Sequence, residues 1–273
     1  MNLAGRAWPT FSTHRGAVAA LAALLVIVLL AMGAGLLALD DPTRQFRDAT
    51  LVAPSMQGHW LGTDELGRDM LSRLLFGARL TLGMAFAAVT LAVVPGVALG
   101  LVAAFYPRII GNVVLRSADV LLSLPTVLLA VAVVAVLGPG AFNTVLAVAV
   151  SSLPGYVRLV RASALGELAK PYVLAARAIG AGPLHLMLRN VLPNCLGPVI
   201  VTATLDFSSA ILIAAGLGFL GLGAQPPMPE WGTMLANARD FIGRAWWMVA
   251  WPSPEKSCSN SLRNCSARSL WEL

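Results

Sequence analysis

The chain has 273 residues, of which 58% are hydrophobic and only 12% charged, with a formal net charge of +6 at pH 7. Soluble domains carry about 25% charged residues, so half that share excludes an ordinary water-soluble domain and indicates a membrane protein. The cations are spread among loops rather than gathered on one face, which excludes a nucleic-acid partner.

Catalytic and metal chemistry are equally poorly supplied. Neither lysine, Lys170 or Lys256, follows a glycine, so no GxxxxGK phosphate loop exists. His14, His59 and His185 are far apart in sequence and lack metal-ligand spacing. Cys195, Cys258 and Cys265 make no disulfide framework. The expectation is a chain with no enzyme activity, no metal and no cofactor of its own. If ATP drives it, another chain binds the nucleotide.

In chain order, residues 1–16 form a polar lead with Arg6, His14 and Arg15. The uncharged run 17–39 is too long for the core of a signal peptide and matches a ~30 Å hydrocarbon layer, so it reads as a retained span. Residues 40–79 are mixed and charged. Within them, 63–81 has a helical period, Leu66, Met70, Leu74 and Leu75 sharing a face with Arg68, Asp69 and Arg73 around it. That pattern predicts a helix lying on the outer surface, or a contact for a partner, or both. A second span, 80–105, carries Pro95, Gly96 and Gly100. A link with Arg108 and Arg116 leads to a third span, 118–137, and Gly138-Pro139-Gly140 turns the chain into a fourth, 142–157.

Between 158 and 194 the character changes: Arg158, Arg161, Lys170, Arg177 and Arg189 face one acid, Glu167. Pro171 suits a first helical position and pushes Lys170 out of the α region, while Gly180 and then Gly182-Pro183 break the chain. The spacing predicts a short helix from Pro171 to Gly180 with Tyr172, Ala175, Ala176 and Ile179 on one small face. A second helix over 184–192 is expected to end at Pro193. This is either a basic connector or a docking element. The proline and glycine punctuation and the alanine face favour docking, since a mere connector needs neither. A fifth span follows at 196–217. Then come an amphipathic stretch, 233–242, and an apolar run, 245–251, too short to cross. The loop cations place the lead, the 106–116 link and the docking loop on the cytoplasmic side.

Two acids fall near membrane depth, where an ionisable group is by default a functional hypothesis. Asp119 is expected to pair with Arg116. Asp206, beside Thr202, Thr204, Ser208 and Ser209, either faces a translocation path together with Ser209 or makes a helix-packing hydrogen bond.

Three separated stretches carry a family resemblance. Ala175-Ala176, Gly180 and Asn190-Val191-Leu192-Pro193 resemble the cytoplasmic signature of ABC importer permeases. The run from Leu61 through Arg73 to Leu82, and that from Gly218 through Pro226-Pro227 to Leu235, are similar to the dipeptide, oligopeptide and nickel branch, nearest its second dipeptide permease. The match extends over roughly 15–252.

The resemblance implies an all-α polytopic bundle of six spans in the family, here five and a truncated sixth, with the permease domain at 17–252. It implies a coupling helix seated on an ATPase through Tyr172, Ala175, Ala176, Arg177, Gly180 and Ala181, with Leu192 and Pro193 closing the element. It further implies a permease partner, two ATPases holding ATP and Mg, an extracytoplasmic binding protein, surrounding membrane lipid and a bacterial inner-membrane location with the N-terminus in the cytoplasm. The implied cargo is a dipeptide or short peptide, with nickel or glutathione as alternatives; a secondary transporter or a membrane anchor is the reading from another class.

Position 190 is Asn where an aliphatic residue is frequent, and Ile213 stands where relatives often carry an acid. From Ser253 to Leu273 the composition turns to Ser, Asn, Cys, Arg and Lys, which reads as a poorly ordered tail from a shifted frame or an artificial terminus.

Overall fold

The computed structural model describes residues 15–37, 40–55 and 58–252. Most of the lead and the tail 253–273 lie outside them. The described residues are helical, with one isolated antiparallel bridge between Thr63 and Asp69. The chain forms two compact units, Met1–Leu80 with Pro227–Leu273, and Thr81–Pro226.

Helix α1 covers Arg15–Met32 and is followed, after a turn at Gly33, by the short helix Ala34–Leu37. The expected first span is therefore helical but interrupted, and its apolar stretch Val18–Met32 is shorter than a full crossing. Helix α2 runs Met70–Phe105, and α3 (Ile110–Leu122) leads into α4 (Thr126–Leu137). Helix α5 is Ala141–Leu168, α6 is Pro171–Ala178, and α7 is Leu192–Phe219, preceded without a break by Pro183–His185 and a π-helical segment, Leu186–Val191. Helix α8, Trp231–Ala238, follows. Among the described residues three rods are long and apolar enough to cross a membrane, α2, α5 and Pro183–Phe219; α3 with α4 makes a fourth if the bent pair counts as one.

Three expectations change here. The third span is not one straight helix from 118 to 137: α3 and α4 meet at 95° around Ser123-Leu124-Pro125. Pro125 has no N–H to continue the ladder and forces the residue before it away from helical backbone. Ahead of the break, α3 turns Gly111, Val114, Leu115 and Ala118 inward at helical spacing, so what reads as a link is an amphipathic helix. The fourth span does not stop at 157. Val157, Val160 and Ala164 are buried and keep α5 packed to Leu168, which puts Arg158 and Arg161 on a helix rather than on the docking loop. Pro193 does not end a helix either. The π register just before it rearranges the backbone bonding where the proline supplies no N–H.

The core of the second unit joins Leu101 and Ala104 of α2, Val160 and Ala164 of α5, and Val191, Cys195 and Val199 at the head of α7. Gly96 and Gly100 let α2 approach α5: a Cβ on Gly96 would lie 2.6 Å from Cβ of Tyr156, and one on Gly100 2.8 Å from Cβ of Val160 and 2.9 Å from the Val157 carbonyl. This is the small-residue contact by which membrane helices pack. Gly100→Leu should lower the thermal midpoint in detergent, as overpacking costs about 1–3 kcal/mol. Gly155→Ala, with nothing within 4 Å of its Cβ, should leave it in place. Equal midpoints would refute the close contact.

In the first unit, Asp69 caps α2 by accepting from the Ser72 amide at 2.8 Å and its hydroxyl at 2.9 Å. The helix expected over 63–81 is borne out only from Met70, where α2 begins, and not as a surface helix; 61–69 is a folded loop. Arg68, Asp69 and Arg73, expected around an exposed face, are 4%, 1% and 4% exposed. Asp64 accepts from Nε of Arg68 at 2.6 Å and from the amides of Leu66 and Arg68 at 2.9 Å, and Nε of Arg73 is 3.4 Å away. Arg73 also donates to the Pro42 carbonyl, and Nδ1 of His59 is 3.0 Å from Asp69. Trp247 seals the loop, its indole donating to the Thr63 carbonyl at 3.1 Å. The fully buried Glu230 caps α8 through the amides of Gly232 and Thr233. Burial pushes its carboxyl up, and those two bonds oppose the shift.

Candidate docking element

Lys170 has extended backbone (φ −75°, ψ 144°) and Pro171 takes the first position of α6, so the helix starts where a missing N–H costs nothing. It stops at Gly180, whose φ of +92° is comfortable only for glycine. The Gly180 amide donates to the Arg177 carbonyl and that of Ala181 to the Ala176 carbonyl, both at 3.0 Å. Gly182 is extended, and Pro183 opens the rod leading into α7.

One side chain anchors α6 inward, the fully buried Val173. The outward face is apolar at Leu174 and Ile179, which are 52% and 87% exposed, with Ala175 and Arg177 also exposed and Ala176 half-buried. Ala181 and Leu192 are half-buried, and Leu192 packs on the core of the second unit. Pro193 is exposed and lies within the continuous rod, so Leu192 and Pro193 do not close the element.

Tyr172, grouped by spacing with the outward alanines, is engaged at its polar end. Its hydroxyl donates to Glu167 at 2.6 Å, while Lys170 binds the other oxygen of that carboxylate at 2.6 Å. The carboxylate raises the phenol above its ordinary pKa and holds it protonated. Asn194, on the first turn of α7, donates to the Tyr172 oxygen at 3.0 Å and to the Asn190 carbonyl at 2.8 Å. Glu167 and Asn194 are functional candidates that spacing alone does not flag, because the three residues belong to three helical segments.

Asp119 pairs with Arg158 of α5 and not with Arg116, correcting the expected neighbour. In the structure Arg158 reaches across from a second helix, a proximity that chain distance hides. Asp206 is half-buried on α7 and Ser209 is exposed. One turn before Asp206, Ala203 packs against the cluster of Ala92 on α2 with Ala149 and the fully buried Tyr156 on α5.

Comparison with known proteins bears on what this arrangement serves. Residues 96–251 match the family model described as binding-protein-dependent transport system inner membrane component, and residues 2–54 match the N-terminal TM domain of oligopeptide transport permease C. The chain is 55% identical to a di/tripeptide transport system permease protein of Pseudomonas aeruginosa over 250 residues, covering 90% of this chain and 82% of the relative. It is 46% identical to the dipeptide transport system permease protein of Escherichia coli K12, covering 90% and 83%. A glutathione transport system permease of Pectobacterium atrosepticum is 39% identical, covering 90% and 82%. Among solved structures, inward-facing forms of the MetNI methionine ABC transporter share the fold, with TM-scores of 0.53 and 0.54, identities of 21% and 24%, and coverage of 67% of this chain and 87% of theirs.

Proposed function

The chain belongs to the inner-membrane components of binding-protein-dependent transport systems, and from that membership we propose that it is the permease through which an ATP-driven importer carries dipeptides or similar short peptides. What supports the peptide assignment is the identity of 55% and 46% with permeases named for di- and tripeptides across nine tenths of this chain. The 39% identity with a glutathione permease supports a small tripeptide as the second reading.

In this proposal a homologous permease pairs with the chain, and two ATPase subunits bind ATP and Mg on the cytoplasmic side. An extracytoplasmic binding protein delivers the peptide, and the N-terminus is cytoplasmic. Helix α6 is the handle: Ala175, Ala176 and Arg177, with the exposed Leu174 and Ile179, meet the ATPase, and Gly180 and Ala181 hold the turn behind them. Small side chains allow close backbone approach, and Arg177 can pair with an acid of the ATPase. ATP favours the closed ATPase pair and ADP the open one. Because the contact couples the two equilibria, nucleotide state biases which side the path faces. Asp206 and Ser209 are assigned to that path, where a carboxylate suits the ammonium end of a peptide.

Reconstitution of the full complex in vesicles tests this. Labelled dipeptide should accumulate only when both ATPase subunits and ATP are present, and excess unlabelled dipeptide should compete better than glutathione. Accumulation without ATPase subunits would overturn the importer reading, and preferential competition by glutathione would move the substrate to the second reading.

A further inference from the structure

We infer that Tyr172, with Glu167 and Asn194, is a brace that ties the docking helix to both neighbouring rods, so that force on α6 reaches α5 and α7 together. The inference rests on the ATP-driven importer reading and adds the positioning residues through which coupling passes.

Glu167 lies in the last turn of α5, Tyr172 is the second residue of α6, and Asn194 is on the first turn of α7. A phenol can bridge the other two because its oxygen both donates and accepts, whereas a carboxylate only accepts and an amide nitrogen only donates. The hydroxyl donates to Glu167 at 2.6 Å and accepts from Asn194 at 3.0 Å. The bond to the carboxylate is charge-assisted and so among the stronger kinds. Lys170 takes the second carboxylate oxygen at 2.6 Å, so two residues at the start of α6 hold Glu167 at the end of α5. Asn194 is fixed in turn by its 2.8 Å bond to the Asn190 carbonyl, within the π-helical segment. Apart from this hub, the side chain holding α6 inward is Val173. An apolar anchor resists withdrawal but permits rolling and sliding. The directional bonds restrain those motions, and a lever that rolls in its seat transmits little.

The test uses the reconstituted transporter with its ATPases, measuring ATPase co-purification, ATP hydrolysis and peptide uptake on each preparation. Tyr172→Phe keeps the ring and removes the bridge. It should leave the ATPases bound and lower peptide imported per ATP hydrolysed by about fivefold, the equivalent of one ordinary hydrogen bond, since both bonds of the bridge are exposed to solvent. Asn194→Ala should lower the ratio in the same direction, and Glu167→Gln, which retains an acceptor, should restore most of it relative to Glu167→Ala. Leu174→Ala, on the outward face, should instead reduce ATPase recovery. An unchanged ratio in Tyr172→Phe would overturn the brace. So would loss of ATPase recovery in that variant with a normal ratio for the complexes that form, since Tyr172 would then be a contact. If the unsubstituted complex imports no peptide with ATP, the importer reading itself fails and the brace falls with it.

Discussion

Gly180→Pro should abolish ATP-dependent peptide uptake while the protein still inserts in the membrane and reaches normal amounts. The native residue has φ +92°, and proline is locked near −65°. The Gly180 amide donates to the Arg177 carbonyl, and proline has no N–H for that bond. Ile179 ends α6 at φ −83° and ψ 9°, in a region from which a following proline drives its predecessor. The end of α6 must therefore rebuild and carry the outward face out of register. A strained backbone and a lost amide bond together cost about 3 kcal/mol, which corresponds to roughly a 100-fold loss of the competent arrangement. Gly180→Ala isolates the backbone term, because nothing lies within 4 Å of its added Cβ. It should retain part of the uptake, since alanine pays only about 1–2 kcal/mol in left-handed backbone. Ala176→Arg changes the half-buried edge of the same face and should match proline in severity. Vesicle uptake, normalised to the permease in the membrane, measures all three. Normal uptake by Gly180→Pro would remove α6 from the coupling role.

The ends of this handle are legible in sequence because Pro171, Gly180 and Gly182-Pro183 act locally, through φ restriction and a missing N–H. The all-α class is legible for a comparable reason: runs such as those of α2 and α4 are apolar nearly throughout. What escapes is whatever depends on a distant partner. Arg158 and Arg161 look like loop cations, yet Val160 and Ala164 find a core against α2 and the head of α7 and carry the helix past them. Pro193 looks like a terminator, and nothing in its neighbours announces the π register that accommodates it. Pro125 was the available signal for the α3–α4 break; it is masked by the apolar residues on both sides, which read as one span. Within the docking element, spacing puts Tyr172 on the exposed side with Ala175 but is silent on what its hydroxyl holds. Its partners are five residues back and 22 ahead, beyond the reach of helical period.

The loop at 61–69, with Arg73 on the first turn of α2, shows the same limit at larger energy and carries the other severe prediction. Asp64 and Arg68 are four residues apart, a spacing that on an exposed helix would mark a surface pair of little consequence. Here both are buried, at 2% and 4% exposure. Asp64 is the acceptor that Arg68 and Arg73 share. Asp64→Ala leaves Arg68 with Glu65 at 3.3 Å and Arg73 with the Pro42 carbonyl at 3.2 Å. It also strands the amides of Leu66 and Arg68. Removing one partner of a buried pair costs about 3–5 kcal/mol, mostly from the charge left behind. Since whole domains are stable by only about 5–15 kcal/mol, the variant should show a sharply lowered thermal midpoint in detergent and a reduced amount in the membrane. Replacing both members, Asp64→Leu with Arg68→Met, removes one uncompensated charge and fills similar volume. It should recover a substantial part of the loss, because such isosteric exchanges are often neutral or better. Recovery would be incomplete, since Arg73 loses its carboxylate in either case. A double variant less stable than Asp64→Ala would mean that Arg68 stabilises the loop through contacts other than Asp64. An Asp64→Ala variant that melts with the parent would show that the cluster does not hold the loop, leaving that to the Trp247 seal and the apolar contacts around Met70.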